Sequence, residues 1–410
     1  MSQFQPSAVS YVYNHNQREL TVTAHQRIVV IGAGYAGVMA ANRLAGNKDL
    51  ASQIDVTVIN PFPDFVERIR LHQVAAGSRA AASVPMETVL HPLATLVVGQ
   101  ATRIDPHAHT VHFDDGRDPL KYDFLVYAPG STSQPAPSGS GSYALRDAES
   151  ALRLRPALEQ LAPGGVVSVI GGGLTGIEAA AEIAETHPRL TVRLVSRCRL
   201  GADLSDGGRR ALLKRLREVG VQLVEGQRVE RSEGQQITLS DGTSMASDCT
   251  VWTAGFAAPD LARVSGLATD ADGRLLVDSA LACPEFPEIF GAGDAVRAPD
   301  AVAAHLRMSC AMAMPMGAHA ADNISARIRQ RSPQELSAGF LLRCISLGRK
   351  SGLVQPVRAD DTPRRLALSH RTGAMVKEQV CRMTLSWIRG ERRRSGSYSW
   401  PRGPRAVRAQ

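Results

Sequence analysis

Hydrophobic and polar positions repeat along this chain in two matching passes. Residues 27–37 read RIVVIGAGYAG and residues 165–176 read GVVSVIGGGLTG. Each holds a short β-branched apolar run, the pattern of a buried strand, and ends in GxGxxG. An Ala-rich stretch follows, VMAANRLAG in the first pass and IEAAAEIAE in the second, and each predicts a helix. Another buried-strand run comes next, VTVIN at 56–60 and TVRLVS at 191–196. Further on, each pass has a hairpin pattern turned by Asp-Gly, at Gly116 and Gly242, then a strand running into a glycine, Gly130 or Gly255. One GxGxxG is a weak signal. Two of them with the same downstream order form an internal repeat.

The glycines of each loop have separate tasks. Gly32 and Gly171 make the tight strand-to-helix turn, Gly34 and Gly173 let backbone approach a pyrophosphate, and Gly37 and Gly176 let the helix pack on the strand. Tyr35, Ala36, Leu174 and Thr175 complete the loops and open the helices, whose unpaired N–H groups and partial positive charge suit phosphate. Two such loops imply two dinucleotides.

Composition sets limits on this picture. A chain of 410 residues with 44% apolar content has material for two or three domains and is neither disordered nor collagen-like. The six cysteines include no CxxC or CxxxxC pair, which excludes a redox dithiol of local spacing and a zinc knuckle; no metal is expected. Scattered cysteines suit a reducing compartment, the cytoplasm. Residues 1–26 read as a polar extension rather than a signal peptide, and no stretch approaches the ~20 apolar residues of a membrane span. Membrane contact is therefore expected to be peripheral, at the inner face.

The net charge of +8 is local. From Arg327 to Gln410 there are 19 Lys or Arg against five Asp or Glu, so the rest of the chain carries a net −6. Val376, Val380, Met383 and Trp387 fall on one helical face, with Lys377, Arg382 and Arg389 elsewhere on the circumference. Arg392, Arg393, Arg394, Arg402, Arg405 and Arg408 trail behind among Gly, Ser and Pro. This pattern suits an anionic membrane surface, or equally a core-packed helix with a solvated tail. Basic residues are not interleaved with aromatics, which argues against nucleic acid.

A third motif, PEIFGAGDAVR at 287–297, places Gly293 and Asp294 after a short strand, with Asp294 at a predicted helix start. With it, residues 27–325 resemble the two-dinucleotide-binding-domain flavoproteins, the FAD-dependent pyridine nucleotide oxidoreductases. TGIEAAAEIAE, WTAGF and the missing cysteine pair are most similar to type II NADH dehydrogenases and ferroptosis-suppressor-like quinone reductases. The resemblance implies FAD at Gly32, Gly34 and Gly37, with Asp294 bonding its ribityl chain, and NAD(P)H at Gly171, Gly173 and Gly176. Ala128-Pro129-Gly130 and Thr253-Ala254-Gly255 match the family's crossover strands. Asn60 stands where the family has an acid gripping the adenosine ribose, and an amide can still bond a 2′-hydroxyl. Ser196 stands at the matching place in the second unit, followed by Arg197 and Arg199, which favour NADPH or dual use.

Hydride transfer to flavin needs little side-chain acid–base chemistry, and the sequence shows no catalytic triad. By resemblance Glu178, in the first helical turn, lies near the nicotinamide and its ribose; an acid favouring a helix start is the plainer reading. The segment 305–324 is expected at the flavin pyrimidine ring. It carries Arg307, Met308, Met312, Met314 and Met316 in place of the family's Ala-Gln pair. They form either a flexible apolar wall for the acceptor or adaptable packing. Arg68, Arg70 and His72 face flavin or substrate, or else form an outward charged stripe.

The expected fold is α/β, with two Rossmann-like dinucleotide-binding domains, the second inserted in the first, and a small C-terminal α+β cap. The expected boundaries are an extension at 1–26, an FAD domain at 27–140 and 260–330, and an NAD(P)H domain at 141–259. A cap or interface domain follows at 331–390, and a basic tail at 391–410. The expected function is NAD(P)H oxidation through FAD to a quinone-like acceptor, by a peripheral protein or homodimer. The rivals are a ferredoxin- or rubredoxin-type reductase, an oxidoreductase of a specialised metabolite, and a redox domain serving mainly to bind, as in apoptosis-inducing factor.

Overall fold

The computed structural model describes residues 25–133, 142–145 and 147–404, and an antiparallel ribbon of Ser10–Val12 with Thr21–Thr23. The first pass runs through β1 (Gln26–Ile31), α1 (Tyr35–Ala45), β2 (Ile54–Asn60), α2 (Leu71–Ala75), β3 (Ala94–Val98) and β4 (Phe124–Tyr127). The second runs through β5 (Ser142–Ala144), α3 (Ala148–Gln160), β6 (Val166–Ile170), α4 (Leu174–Thr186), β7 (Thr191–Ser196), α5 (Asp206–Glu218), β8 (Gln222–Glu225) and β9 (Cys249–Trp252). Then come β10 (Ile289–Gly291), α6 (Cys310–Ile328), β11 (Leu342–Ser346), β12 (Gly352–Pro356) and α7 (His370–Arg393).

The repeat in the sequence is a repeat in space. One parallel sheet has the order β10-β4-β1-β2-β3 and the other β5-β9-β6-β7-β8, so β1 and β6 hold matching central places. Every strand of the second sheet lies in sequence between β4 and β10 of the first, which makes the second unit an insertion. Each unit also carries a three-stranded antiparallel meander, at 101–121 and 229–246, whose Asp-Gly turns place Gly116 and Gly242 at φ of +73° and +83°. Two short strands after the crossovers, Thr132–Ser133 and Phe256–Ala257, pair antiparallel and tie the units together.

Both faces of each sheet are covered, which is why the strands read as unbroken apolar runs rather than alternating ones. Ile28, Val30, Val58, Val167 and Leu194 are fully buried, each contributing about 1.5–3 kcal/mol by leaving water. On the first sheet α1 meets α6 backbone to backbone: a Cβ on Gly317 would lie 2.1 Å from the Ala36 carbonyl oxygen.

The C-terminal region differs from its sequence pattern. The buried row of α7 is Gly373, Cys381, Thr384, Ile388 and Glu391, whereas Val376, Val380 and Met383 are half-buried and Trp387 is exposed. Gly373 sets this rotation by touching Gly352, where a Cβ would stand 2.2 Å from the Gly352 carbonyl oxygen. The helix also continues through Arg393, beyond the expected boundary at residue 390. Residues 394–404 are docked rather than trailing. The buried Glu391 carboxylate accepts from the Gly396 and Tyr398 N–H groups (2.6 and 2.7 Å), and the Trp400 indole donates to the Ser337 carbonyl. Arg405 and Arg408 lie outside the described residues. The positive end is partly neutralised by the body: Lys377 pairs with Glu178, Arg349 with Glu182, Arg343 with Asp203 and Arg329 with Asp49.

Candidate active site

Gly32 and Gly171 have φ of +94° and +122°, a region that L side chains rarely adopt. A Cβ on Gly37 would stand 1.7 Å from the Gly32 carbonyl oxygen, and one on Gly176 1.8 Å from that of Gly171. Each helix therefore sits directly on its loop. At Gly34 and Gly173 the opposite holds: both are exposed, and nothing lies within 4 Å of an added Cβ. The helix starts beside these open faces are bare. The first intrahelical bonds are Val38 N–H to Gly34 and Ile177 N–H to Gly173, leaving the N–H groups at 35–37 and 174–176 ahead of the ladder. Neither helix has a side-chain cap or an acid in its first turn, while α3 and α5 are capped by Asp147 and Ser205 and carry Glu149 and Asp206. Unmet donors beside an open backbone fit the pyrophosphate of a dinucleotide.

The crossover segments lie against the loops. A Cβ on Gly32 would come 2.3 Å from the Ala128 carbonyl oxygen, and one on Gly171 2.9 Å from the Ala254 nitrogen. Gly130 and Gly255 turn there with φ of +73° and +79°. Asp294 lies in the turn after β10 rather than at a helix start, but its side chain reaches one. Its carboxylate accepts from the Ser309 N–H just before α6 (3.1 Å) and from the Ser131 hydroxyl (3.0 Å), and burial pushes its carboxyl up. Arg68 donates to the Ser131 carbonyl at 2.8 Å, so it belongs to this group. Ser131 was not singled out in the sequence; its signal is its place directly after Gly130.

A family profile described as pyridine nucleotide-disulphide oxidoreductase matches residues 26–320. The chain belongs to this family. An NADH dehydrogenase-like protein of Mycobacterium tuberculosis is 33% identical over 325 residues, 73% of this chain and 80% of the relative. A type II NADH:quinone oxidoreductase of the same organism is 29% identical over 315 residues, 65% of this chain and 66% of the relative. Among solved structures, NDH2 of Plasmodium falciparum in complex with NADH has a TM-score of 0.76 at 13% identity, covering 92% of this chain and 99% of that one. The sulfide:quinone oxidoreductase of Aquifex aeolicus has a TM-score of 0.75 at 20% identity, covering 89% and 92%. This pyridine nucleotide-disulphide oxidoreductase is thus an NADH dehydrogenase-like flavoprotein, and its expected cofactors are FAD and NADH.

In this family member several candidate side chains serve the scaffold. Tyr35 is buried edge-on against Phe65, with ring centroids 5.2 Å apart, so only its backbone faces the open loop. Ala36 is pinned between Gly293 and Gly317, where anything larger would collide. Asn60 braces the first loop: its Oδ1 accepts from Ala33 N–H at 3.0 Å and its Nδ2 donates to the Phe62 carbonyl at 2.7 Å. Ser196 closes a local turn by donating to the Cys198 carbonyl at 2.6 Å. Arg197 and Arg199 are exposed beside it.

Glu178 lies in the second turn of α4, beyond the reach of the helix-start dipole, and is only 7% exposed. Its carboxylate accepts from Lys377 Nζ at 2.8 Å and from the Ser346 N–H at 2.9 Å, and lies 3.9 Å from His72 Nδ1. Burial would raise its pKa, but Lys377, His72 and the Ser346 N–H together lower it. Burial brings His72 down to about 4, so the ring is neutral at pH 7. Arg70 is also inward, forked onto Glu378 at 2.5 and 3.0 Å. The outward stripe expected as an alternative at 68–72 does not occur. Lys377 was read as lying off the apolar face of its helix, and no local pattern pairs it with a residue 199 positions earlier. The acids at 178, 182 and 185 did carry a signal, because they share one face of α4.

The methionines divide. Met314 is packed in the core, while Met308, Met312 and Met316 line a small cavity of about 50 Å³ with Gly293 and Asp294. Among the described residues all cysteines are free thiols, and burial pushes Cys310 and Cys344 up to about 11.

Proposed function

We propose that this oxidoreductase takes hydride from NAD(P)H and passes electrons to a quinone-like acceptor. The observation that supports it most is the pair of bare helix starts, at Tyr35 and Leu174, each backed by its own crossover segment. On this reading Gly32, Gly34 and Gly37 hold the FAD pyrophosphate, Gly171, Gly173 and Gly176 hold that of NAD(P)H, and Asp294 accepts a ribityl hydroxyl. FAD, when bound, supplies the hydride-accepting ring and the electron storage. The protein supplies position and a dry wall, the latter from Met312 and Met316. Glu178 acts through Lys377 and Ser346 by fixing α4 against the C-terminal hairpin, so it is a positioning residue. The exposed Arg197 and Arg199 accept the 2′-phosphate of NADPH, which gives dual nucleotide use. Among the described residues no helix is long and apolar enough to cross a membrane. Exposed Leu366 (82%) and Met375 (72%), near Arg364, Arg365 and Arg371 in sequence, support peripheral contact with an anionic bilayer.

The test is a flavin spectrum of the purified protein, with NADH and NADPH oxidation followed against quinones, ferredoxin and oxygen. A colourless protein that FAD cannot reconstitute would sink the flavin assignment. Ferredoxin reduction far above quinone reduction would remove the acceptor, and NADH turnover far above NADPH would remove the arginine reading. Flotation with phosphatidylglycerol vesicles that is unchanged by Leu366→Glu with Met375→Glu would end the membrane contact.

A further inference from the structure

Between the 67–79 segment and α7 lies a cleft of about 460 Å³, within the roughly 300–1,000 Å³ typical of ligand sites. It is unlike the apolar pockets that hold rings. Seven of its nine lining residues are charged, five arginines and two glutamates, and Leu385 is the one aliphatic member. The acids already have partners: Glu378 accepts from Arg70 and Arg382 and is driven to about 2, and Glu67 lies 3.5 Å from Arg79. The positive charge is left over. Arg389 and Arg393 stand seven and eleven residues after Arg382 on the same helix face, and among the described residues neither forms an ion pair. Arg70, 2% exposed, forms the opposite wall, but it is already held: its fork grips Glu378 and its Nε lies 4.0 Å from the Glu67 carboxylate.

We propose that this cleft binds a phosphate group, free or carried on a lipid headgroup, at Arg389 and Arg393 on α7. Guanidinium forks match phosphate oxygens in pairs, and an excess of three positive charges suits a dianion. The cleft is separate from the nucleotide loops, so the inference does not rest on the acceptor proposed above. Two neighbouring arginines thus serve different places: Arg68 holds Ser131 beside Asp294, and Arg70 lines the cleft.

The experiment titrates the full-length flavoprotein, its nucleotide loop saturated with NAD+, with inorganic pyrophosphate by calorimetry, and floats it with vesicles of phosphatidylcholine with or without phosphatidylglycerol. Arg389→Glu with Arg393→Glu is the disrupting variant, and Arg217→Glu, an exposed charge reversal on α5, is the control. One-to-one pyrophosphate binding that weakens at least tenfold in the double variant and less than twofold in the control supports the site. If vesicles float only with phosphatidylglycerol and pyrophosphate competes them off, the phosphate is a headgroup. If vesicles do not float while pyrophosphate binds, it is a free phosphate compound. Absence of both kinds of binding overturns the proposal, as does binding that the double variant leaves unchanged or that the control weakens equally.

Discussion

Behind the first glycine loop stands Asn60, whose amide bonds the loop backbone at Ala33; behind the second stands Ser196, which turns inward to Cys198 and leaves space only for a glycine at 172. The helices differ more. Helix α1 is pressed onto α6 through Ala36 and Gly317, and their ion pair, Arg43 with the half-exposed Asp322 at 2.7 Å, lies at the rim. Helix α4 presents Glu178, Glu182 and Glu185 to the C-terminal hairpin and α7, where Lys377, Arg349 and the Arg349 N–H meet them. One backbone template is thus held mainly by close packing in one unit and by a row of paired, buried glutamates in the other. Packing is insensitive to pH, whereas a buried pair holds only while both partners keep their charge. The second loop is the one tied to the C-terminal end, through the ion pairs of α4 with the hairpin and α7.

Exchanging the third glycines should separate the two loops most sharply. Gly37→Val is expected to give protein without flavin, because the side chain would meet the Gly32 carbonyl. Gly176→Val should stay yellow yet lose roughly 100-fold in kcat/KM for NAD(P)H, the scale of an ångström-sized misplacement. Equal flavin loss in both would break the assignment. The next effect concerns how each helix is held. Lys377→Met strands the Glu178 carboxylate and should cost about 3–5 kcal/mol in denaturant unfolding. Gly317→Ala should cost about 1–3 kcal/mol by overpacking. A milder loss at Lys377 would mean that ion pairs are not what fixes α4.

pH should act through His72, which sits on α2 of the first pass, 3.9 Å from Glu178 of α4. The His72 folded pKa of about 4 lies below its ordinary 6.5, so between these values the unfolded chain binds the extra proton. Stability from this group is complete above about pH 6.5 and falls as pH drops towards 4, by up to about 3 kcal/mol. His72→Gln should flatten that window in thermal melts taken across it; an unchanged slope would remove His72 as the cause. The smallest contrast lies at the strand ends. Asn60→Ala and Ser196→Ala should each cost about 1 kcal/mol. Only the former should speed FAD release in dilution assays.

Much of this was legible in the chain. Strand, glycine loop and helix are local features, and their repetition identified the two units, while the insertion was what the family resemblance implied. The places of Gly32, Gly34, Gly37 and their second-unit counterparts followed from backbone sterics over six residues. Asp294 was legible as a motif but not as a hydrogen-bond partner of Ser131 and Ser309. The face of α7 was misread because the pattern ranks residues by hydropathy, whereas Lys377 is charged yet largely covered and Glu391 charged yet fully buried. Their burial is compensated by Glu178 and by the N–H groups of Gly396 and Tyr398, none of which lies in the same helix.

By itself, then, the sequence determined the two parallel sheets, their order in the chain and the open glycine turns, because period and glycine sterics act within a few residues. Only the tertiary structure decided what the charged residues do. The fate of a buried charge depends on whether a partner reaches it, and those partners, from Glu178 and Lys377 to Arg70 and Glu378, come from opposite ends of the chain.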